Sequence, residues 1–287
     1  MAGKLILCAT PIGNLQDMTP RVVEALQTAD LIAAEDTRNS IKLLNHFDIH
    51  TPMTSYHEYN KVEKAYELIA QMKEGKNVAL ITDAGTPAIS DPGEVLVKMC
   101  QEEGILVTSL PGPCACITAL TLSGLPTRRF CFEAFLPEEK KEKQRILEVL
   151  KTESRTMIIY EAPHRLTRTL AELQKTLGNR RITLCRELTK KFEEVMPTTL
   201  DEAVRYYETN DPRGEYVLVI EGYDLRKQEQ DEQKSWEEMP IEEHMQLYLD
   251  RNLSEKEAMK KVASDRGVSK RDIYAYLQKR KDEAEDE

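Results

Sequence analysis

Residues 82–94 read TDAGTPAISDPGE and follow directly on the apolar run Val78-Ala79-Leu80-Ile81. A short apolar run bounded by turn-forming residues reads as a buried strand. The pattern Val95-Leu96-Val97-Lys98-Met99 beyond it reads as the body of a helix. The stretch is therefore a strand-to-helix connection, built from two prolines, two glycines and two aspartates. Such residues fix a loop backbone in advance, so less entropy is lost when a ligand binds.

The same arrangement recurs along the chain. Strands are expected at Leu5–Ala9, Leu31–Ala34, Val78–Thr82, Ile105–Leu110, Phe130–Phe135, Thr156–Tyr160, Ile182–Arg186 and Tyr216–Glu221. Helical patterns fall between them near 20–29, 39–47, 61–74, 92–103, 113–123, 138–152, 164–177 and 200–209. Several strands are apolar on both faces, as in a parallel sheet covered by helices on both sides. The alternation predicts an α/β architecture.

The chain of 287 residues suggests about two domains. Its net charge of −10 argues against a generally basic nucleic-acid coat, though not against a local basic face. The six cysteines contain no C-x-x-C pair, so no zinc or other metal site is expected. No signal peptide precedes Lys4-Leu5-Ile6-Leu7, and no apolar run reaches the roughly 18 residues of a membrane span. A cytoplasmic protein without a membrane partner is expected.

Composition also divides the chain. A break is expected near Leu125-Pro126-Thr127-Arg128-Arg129, giving an N-terminal α/β domain over 1–127 and a second α/β domain over 128–223. Residues 224–240, DLRKQEQDEQKSWEEMP, are nearly devoid of apolar residues and read as a linker. Over 241–287 a small helical unit with an acidic tail is expected, and its outline resembles a helix-turn-helix. A helix spans Ile241–Arg251, and Ser254 with Glu257 forms a capping-box pattern. Gly267-Val268-Ser269 then makes a turn before a last helix over Lys270–Arg280. Residues 254–281 hold nine basic side chains against four acidic ones, so Lys270 and Arg271 are candidate RNA contacts.

Several chemistries are excluded by pattern. No G-x-G occurs, which removes the dinucleotide fingerprint and the glycine loop of Rossmann-type methyltransferases. No phosphate-binding G-x-x-x-x-G-K and no G-x-S-x-G elbow occurs either. What remains is four polar loops at consecutive strand ends: ATPIGN (9–14), AEDTRN (34–39), TDAGTPAISDPG (82–93) and LPGPCA (110–115). In an open α/β sheet this is the edge at which ligands sit. Each loop also has a plain structural use. Ser90 or Asp91 stands where a helix N-cap is expected, and Glu35-Asp36-Thr37-Arg38 can close an internal ion pair.

In this order, TPIGNLQDMTPR (10–21), AEDTRNS (34–40), DAGTPAISDPG (83–93), LPGPCA (110–115) and YEAPHR (160–165) resemble the bacterial ribosomal small subunit methyltransferase I family. That family belongs to the tetrapyrrole-methylase superfamily, the class III methyltransferases. The resemblance runs from about Lys4 to Gly222. It implies two α/β domains with S-adenosylmethionine in the cleft between them, usually in a homodimer. It also implies 2′-O-methylation of a cytidine in the decoding region of 16S rRNA within the small ribosomal subunit. Carried onto this sequence, the donor would meet Pro11, Asp83, Ala84, Gly85, Ile89 and Ser90. From the second half it would meet Ala162, Pro163, Gly214 and Glu215.

Transfer to a ribose hydroxyl calls for a base or cation beside a very weak acid. Glu35, Asp36, Arg38 and Glu161 are the candidates for that task, with His57 and Glu58 as further candidates. Arg165 and Arg168 are candidate phosphate contacts. A tetrapyrrole, corrin or diphthine-type methyltransferase of the same fold is the alternative.

Overall fold

The computed structural model describes residues 2–224, 236 and 239–285. The chain divides into two compact units, Met1–Gly222 and Tyr223–Glu287.

The first unit holds two five-stranded sheets. Strands β1 (Lys4–Cys8), β2 (Leu31–Ala34), β3 (Met53–Ser55), β4 (Val78–Ile81) and β5 (Leu106–Leu110) form the first, in the order β3-β2-β4-β1-β5. All its pairings are parallel. Its side chains alternate between two cores. Leu5, Leu7, Ala33, Val78 and Leu80 pack with α3 (Lys61–Lys73) and α4 (Gly93–Glu102) on one face. Ile6, Cys8, Ile32, Ala34, Ala79 and Ile81 pack with α1 (Pro20–Thr28) and α2 (Thr37–His46) on the other. Both faces are covered, which is why the strands read as continuous apolar runs.

The chain leaves β1 toward β2 but leaves the adjacent β4 toward β5, on the opposite side. The loops after these neighbours diverge there and open a crevice, the topological switch point of an open α/β sheet.

The second sheet contains β6 (Phe130–Phe135), β7 (Thr156–Glu161), β8 (Arg181–Arg186), β9 (Glu194–Thr199) and β10 (Tyr216–Ile220), in the order β6-β7-β10-β8-β9. Only β6 and β7 pair in parallel, and the rest are antiparallel. The expectation of parallel strands therefore holds for the first sheet and is corrected for the second. Strand β9 went unseen in the sequence because EVMPTT holds neither a continuous apolar run nor a regular alternation and carries Pro197, which an edge strand tolerates.

Helices α6 (Lys140–Leu150), α7 (Pro163–Leu177) and α8 (Leu200–Tyr207) cover one face of the second sheet. Helix α5 (Ala115–Leu122), which follows the last strand of the first sheet, covers the other face through Cys116, Ala119 and Leu120. The two sheets are thus joined by a shared helix within one unit.

The second unit has a separate core of Met245, Ala258, Val262, Ala263 and Ile273. These come from α9 (Ile241–Leu249), α10 (Glu255–Asp265) and α11 (Lys270–Glu285). Ser254 and Glu257 form the reciprocal capping box that the sequence predicts. Of the expected linker 224–240, residues 225–235, 237 and 238 lie outside the described residues. Among the described residues no helix is long and apolar enough to cross a membrane.

Candidate functional site

The loops after β1 and β4 are tied together where they diverge. Thr10 and Gly85 exchange both backbone hydrogen bonds, at 2.9 and 3.1 Å, and the Thr10 hydroxyl donates to Thr82 O. Gly85 has φ of +89°, a conformation open to glycine, and a Cβ there would sit 3.3 Å from Ile12 Cγ2. Thr86 Oγ1 donates to Pro113 O at 2.9 Å, which ties in the loop after β5. Asp91 organises the rest of the stretch from within. Its carboxylate accepts from the N–H groups of Ala88, Ile89 and Gly93 at 2.8–3.1 Å, and so holds Ala88 and Ser90 at positive φ. The expected side-chain cap at Ser90 or Asp91 thus becomes a carboxylate cage one turn before the helix, with Pro92 in the cap position of α4.

These loops border a cavity of about 320 Å³. From the first sheet it is lined by Ile12, Glu35, Thr82–Thr86, Ile89–Asp91, Cys114 and Ala115. From the second sheet and its loops come Phe135, Tyr160–Ala162, Cys185, Glu187, Leu188, Lys190 and Glu215–Val217. Its volume suits a small organic ligand, and its lining mixes apolar side chains with a few converging polar ones.

The sequence-expected donor contacts Asp83, Ala84, Gly85, Ile89, Ser90, Ala162 and Glu215 all line this cavity. Pro11, Pro163 and Gly214 stand beside lining residues without lining it. Of the expected catalytic residues, Glu35 and Glu161 line it, whereas Asp36 and Arg38 do not.

Their hydrogen bonds separate these carboxylates further. Glu35 Oε2 accepts from Thr82 Oγ1 at 2.6 Å and so bridges the ends of β2 and β4. Asp36 caps α2 by accepting from Arg38 N, and its carboxylate also takes both Arg38 Nε and Nη2 at 3.1 and 2.7 Å. That pairing lowers its pKa to about 2, which makes it a poor proton acceptor at neutral pH. It is the internal ion pair that the sequence allowed for this loop. Asp83 behaves oppositely: burial, reinforced by the nearby charge of Glu35, raises its carboxyl above the ordinary range.

Glu161 has a fully buried side chain that faces α7. It accepts from Thr169 Oγ1 at 2.6 Å and Ala162 N at 2.9 Å, with Arg165 Nε at 3.3 Å. Arg165 is itself mostly buried and donates to Leu136 O at 2.5 Å. Arg168 is exposed and pairs with Glu172. In the second unit, Lys270 and Arg271 are exposed in the first turn of α11.

In the connection from β8 to β9, Lys190 and Lys191 read in the sequence as positive charge on the surface of the second half, with no cavity residue expected there. Leu188 and the Glu187–Lys190 pair sit on the cavity wall, and Glu187 and Thr189 have φ of +49° and +65°. The stretch CRELTKKFEEV reads as a charged surface turn, and only the fold reveals which two of its charges face inward. Tyr160 was likewise missed. Its ring packs edge-on to Phe132 and Phe135, and its oxygen accepts from Cys116 N at 3.1 Å.

Comparison with known proteins gives a consistent picture. The profile of the Tetrapyrrole (Corrin/Porphyrin) Methylases matches residues 4–204. The chain is 49% identical over 272 residues to the ribosomal RNA small subunit methyltransferase I of Halalkalibacterium halodurans, covering 95% of this chain and 93% of the relative. It is 46% identical to the protein of the same name in Bacillus subtilis, over the same shares. Among solved structures, a diphthine synthase superposes with a TM-score of 0.59 at 13% identity, covering 76% of this chain and 90% of that one. A Thermus thermophilus uroporphyrin-III C-methyltransferase, complexed with S-adenyl homocysteine, gives 0.52 at 17% identity, covering 76% and 97%. At these identities the structures establish the fold alone.

Proposed function

The chain belongs to the tetrapyrrole methylase family, and within it to the ribosomal RNA small subunit methyltransferase I proteins; from that membership we propose that it methylates the 2′-oxygen of a cytidine in the decoding region of 16S rRNA. S-adenosylmethionine is the proposed donor, and the assembled small ribosomal subunit is the proposed substrate. The observation that carries the donor is the cavity. Its carboxylates Glu35 and Asp83 suit a ligand with a cationic sulfonium and ammonium. The apolar residues Ile12, Ile89 and Leu188 offer a surface for an adenine ring.

In this reading the donor, once bound, supplies the methyl group as an electrophile. The residues of the chain do the rest. Gly85 and Ala84 leave room for a ligand against the backbone, and Asp91 holds that backbone in shape. Asp83 and Ser90 orient the amino-acid end of the ligand. Positioning of this kind contributes much of the rate in an in-line displacement. Substrate choice rests on the named relatives, together with the basic surface of residues 254–281.

The test offers the purified protein and radiolabelled donor to small ribosomal subunits, to naked 16S rRNA and to a porphyrinogen. Label is expected in the subunits, at one cytidine whose 3′ phosphodiester resists alkali because its 2′-oxygen is blocked. Label in the porphyrinogen alone would replace this reading with the tetrapyrrole alternative.

A further inference from the structure

The reading above leaves the acceptor side of the cavity unassigned, and the inference that follows rests on it. The geometry points to Lys190 as the catalytic cation for the acceptor: its ammonium, clamped between Glu187 and Glu215, contacts the ribose 2′-oxygen and takes up the negative charge that develops there during methyl transfer.

Lys190 is the one basic side chain among the described residues lining the cavity. Its Nζ lies 3.0 Å from Glu187 Oε1 and 2.8 Å from Glu215 Oε2. An ammonium has three N–H donors, so this clamp leaves one for a further acceptor. The lysine cannot serve as a base. Burial alone would lower its pKa, but the bonds to Glu215 and Glu187 outweigh it and the net shift is upward.

The surroundings are shaped for this side chain. A Cβ on Gly13 would lie 2.4 Å from Lys190 Cγ, and one on Gly214 would lie 2.4 Å from Glu187 Cγ. Glycines on two separate loops thus make room for one ion cluster. Glu187 and Thr189 both occupy the left-handed region, where a non-glycine residue is strained. Thr189 Oγ1, next to Lys190 in sequence, is buried with no hydrogen-bond partner among the described residues.

Location decides what the cation meets. Glu187 and Lys190 are 21% and 30% exposed, but Glu215 is 82% exposed. The cluster therefore runs from the cavity wall out to solvent, the side from which a macromolecular acceptor must enter. Loop 82–91 lines the same cavity, with Ile12 next to Gly85 and Gly13 next to the Lys190 side chain.

The ribose oxygen forms the C–O bond, the pair of the breaking S–CH₃ bond returns to sulfur to leave a neutral thioether, and the hydroxyl proton leaves to solvent. Lys190 lowers the barrier because a fixed donor in a partly dehydrated site is worth more than water at the developing charge.

The experiment compares Lys190→Met and Lys190→Arg with wild type on small ribosomal subunits, in single turnover at saturating donor. Donor affinity is measured by calorimetry and thermal unfolding is followed on the same samples. Lys190→Met is expected to bind the donor within about threefold of wild type and to transfer roughly 10²–10³-fold more slowly. Lys190→Arg, which keeps the charge, should recover about tenfold or more of that loss. A Lys190→Met transfer rate within about threefold of wild type overturns the assignment, as does a fall in donor affinity that accounts for the whole loss. Wild-type product separates the two layers. Methylation of a base overturns both the ribose reading and the role of Lys190, whereas ribose methylation with an unimpaired Lys190→Met overturns Lys190 alone.

Discussion

Two neighbouring aspartates show how far a residue's role can be read from its letter. In the sequence Asp36 sits in a polar loop at a strand end and qualifies as a base. In the structure it caps a helix and is neutralised by Arg38, two residues on. Asp83 instead stands at the cavity beside Glu35, and among the described residues Asp36 N and Asn39 Nδ2 donate to it, at 3.2 and 3.5 Å. Local capping chemistry was legible because it depends on spacing along the chain. The raised Asp83 was not, because it follows from desolvation in the folded cavity and from Glu35, 48 residues away. The sign of the shift leads to a prediction. A carboxyl whose folded pKa is raised costs stability above that pKa, and the cost is relieved as pH falls through it. Asp83→Asn should therefore raise the thermal midpoint at neutral pH. A cationic ligand needs the ionised form, so the same substitution should weaken donor binding by about 10–100-fold, the worth of a charge-assisted hydrogen bond. In wild type, donor affinity should fall as pH drops through the Asp83 range, and in Asp83→Asn this fall should flatten. Calorimetric titration across that range reads the effect, and a pH-independent wild-type affinity would remove Asp83 from the donor site.

At the level of elements, four strands of each sheet were legible, because most of them leave short apolar runs in the sequence. The three-residue β3 and the edge strand β9 with its Pro197 were not, nor was the antiparallel pairing of the second sheet, since pairing direction depends on partners far away in sequence. The same limit affected Arg165. Its position after YEAPH suggests a phosphate contact, yet the first turn of α7 brings it onto Glu161 at the end of β7. The pair anchors helix to strand, with Thr169 closing the other side of the carboxylate. Removing one partner of a buried ion pair strands the other, so Arg165→Ala should cost about 3 kcal/mol of stability. Arg168→Ala, on the exposed face of the same helix, should cost less than about 1 kcal/mol. Denaturant unfolding of the two variants distinguishes them. Equal stability would return Arg165 to the list of surface cations available to RNA.

For the whole molecule, the difficulty is an acidic protein proposed to act on a polyanion. Charge is unevenly spread: the total is −10, whereas residues 254–281 carry nine basic side chains against four acidic ones. That segment folds on a small core of its own, with α10 fixed by the Ser254–Glu257 box and α11 opened by a second reciprocal pair between Ser269 and Asp272. Both devices satisfy the first N–H groups of a helix from within, and Lys270 and Arg271 are exposed beside the second. If the small unit supplies the electrostatic grip, reversing these two charges should act on binding and leave the chemistry alone. Affinity of the wild type for small ribosomal subunits should fall steeply with salt, since each neutralised phosphate releases counterion. In a Lys270→Glu, Arg271→Glu double variant, the slope of log affinity against log salt should shrink by about 0.9 for each phosphate that is no longer neutralised. Single-turnover methylation at saturating subunits should stay at the wild-type rate, because the cavity belongs to the other unit. A slope unchanged by the double substitution would move the RNA grip off the small unit. The exposed cations of the first unit would then have to carry it, with Arg168 among those to be tested next.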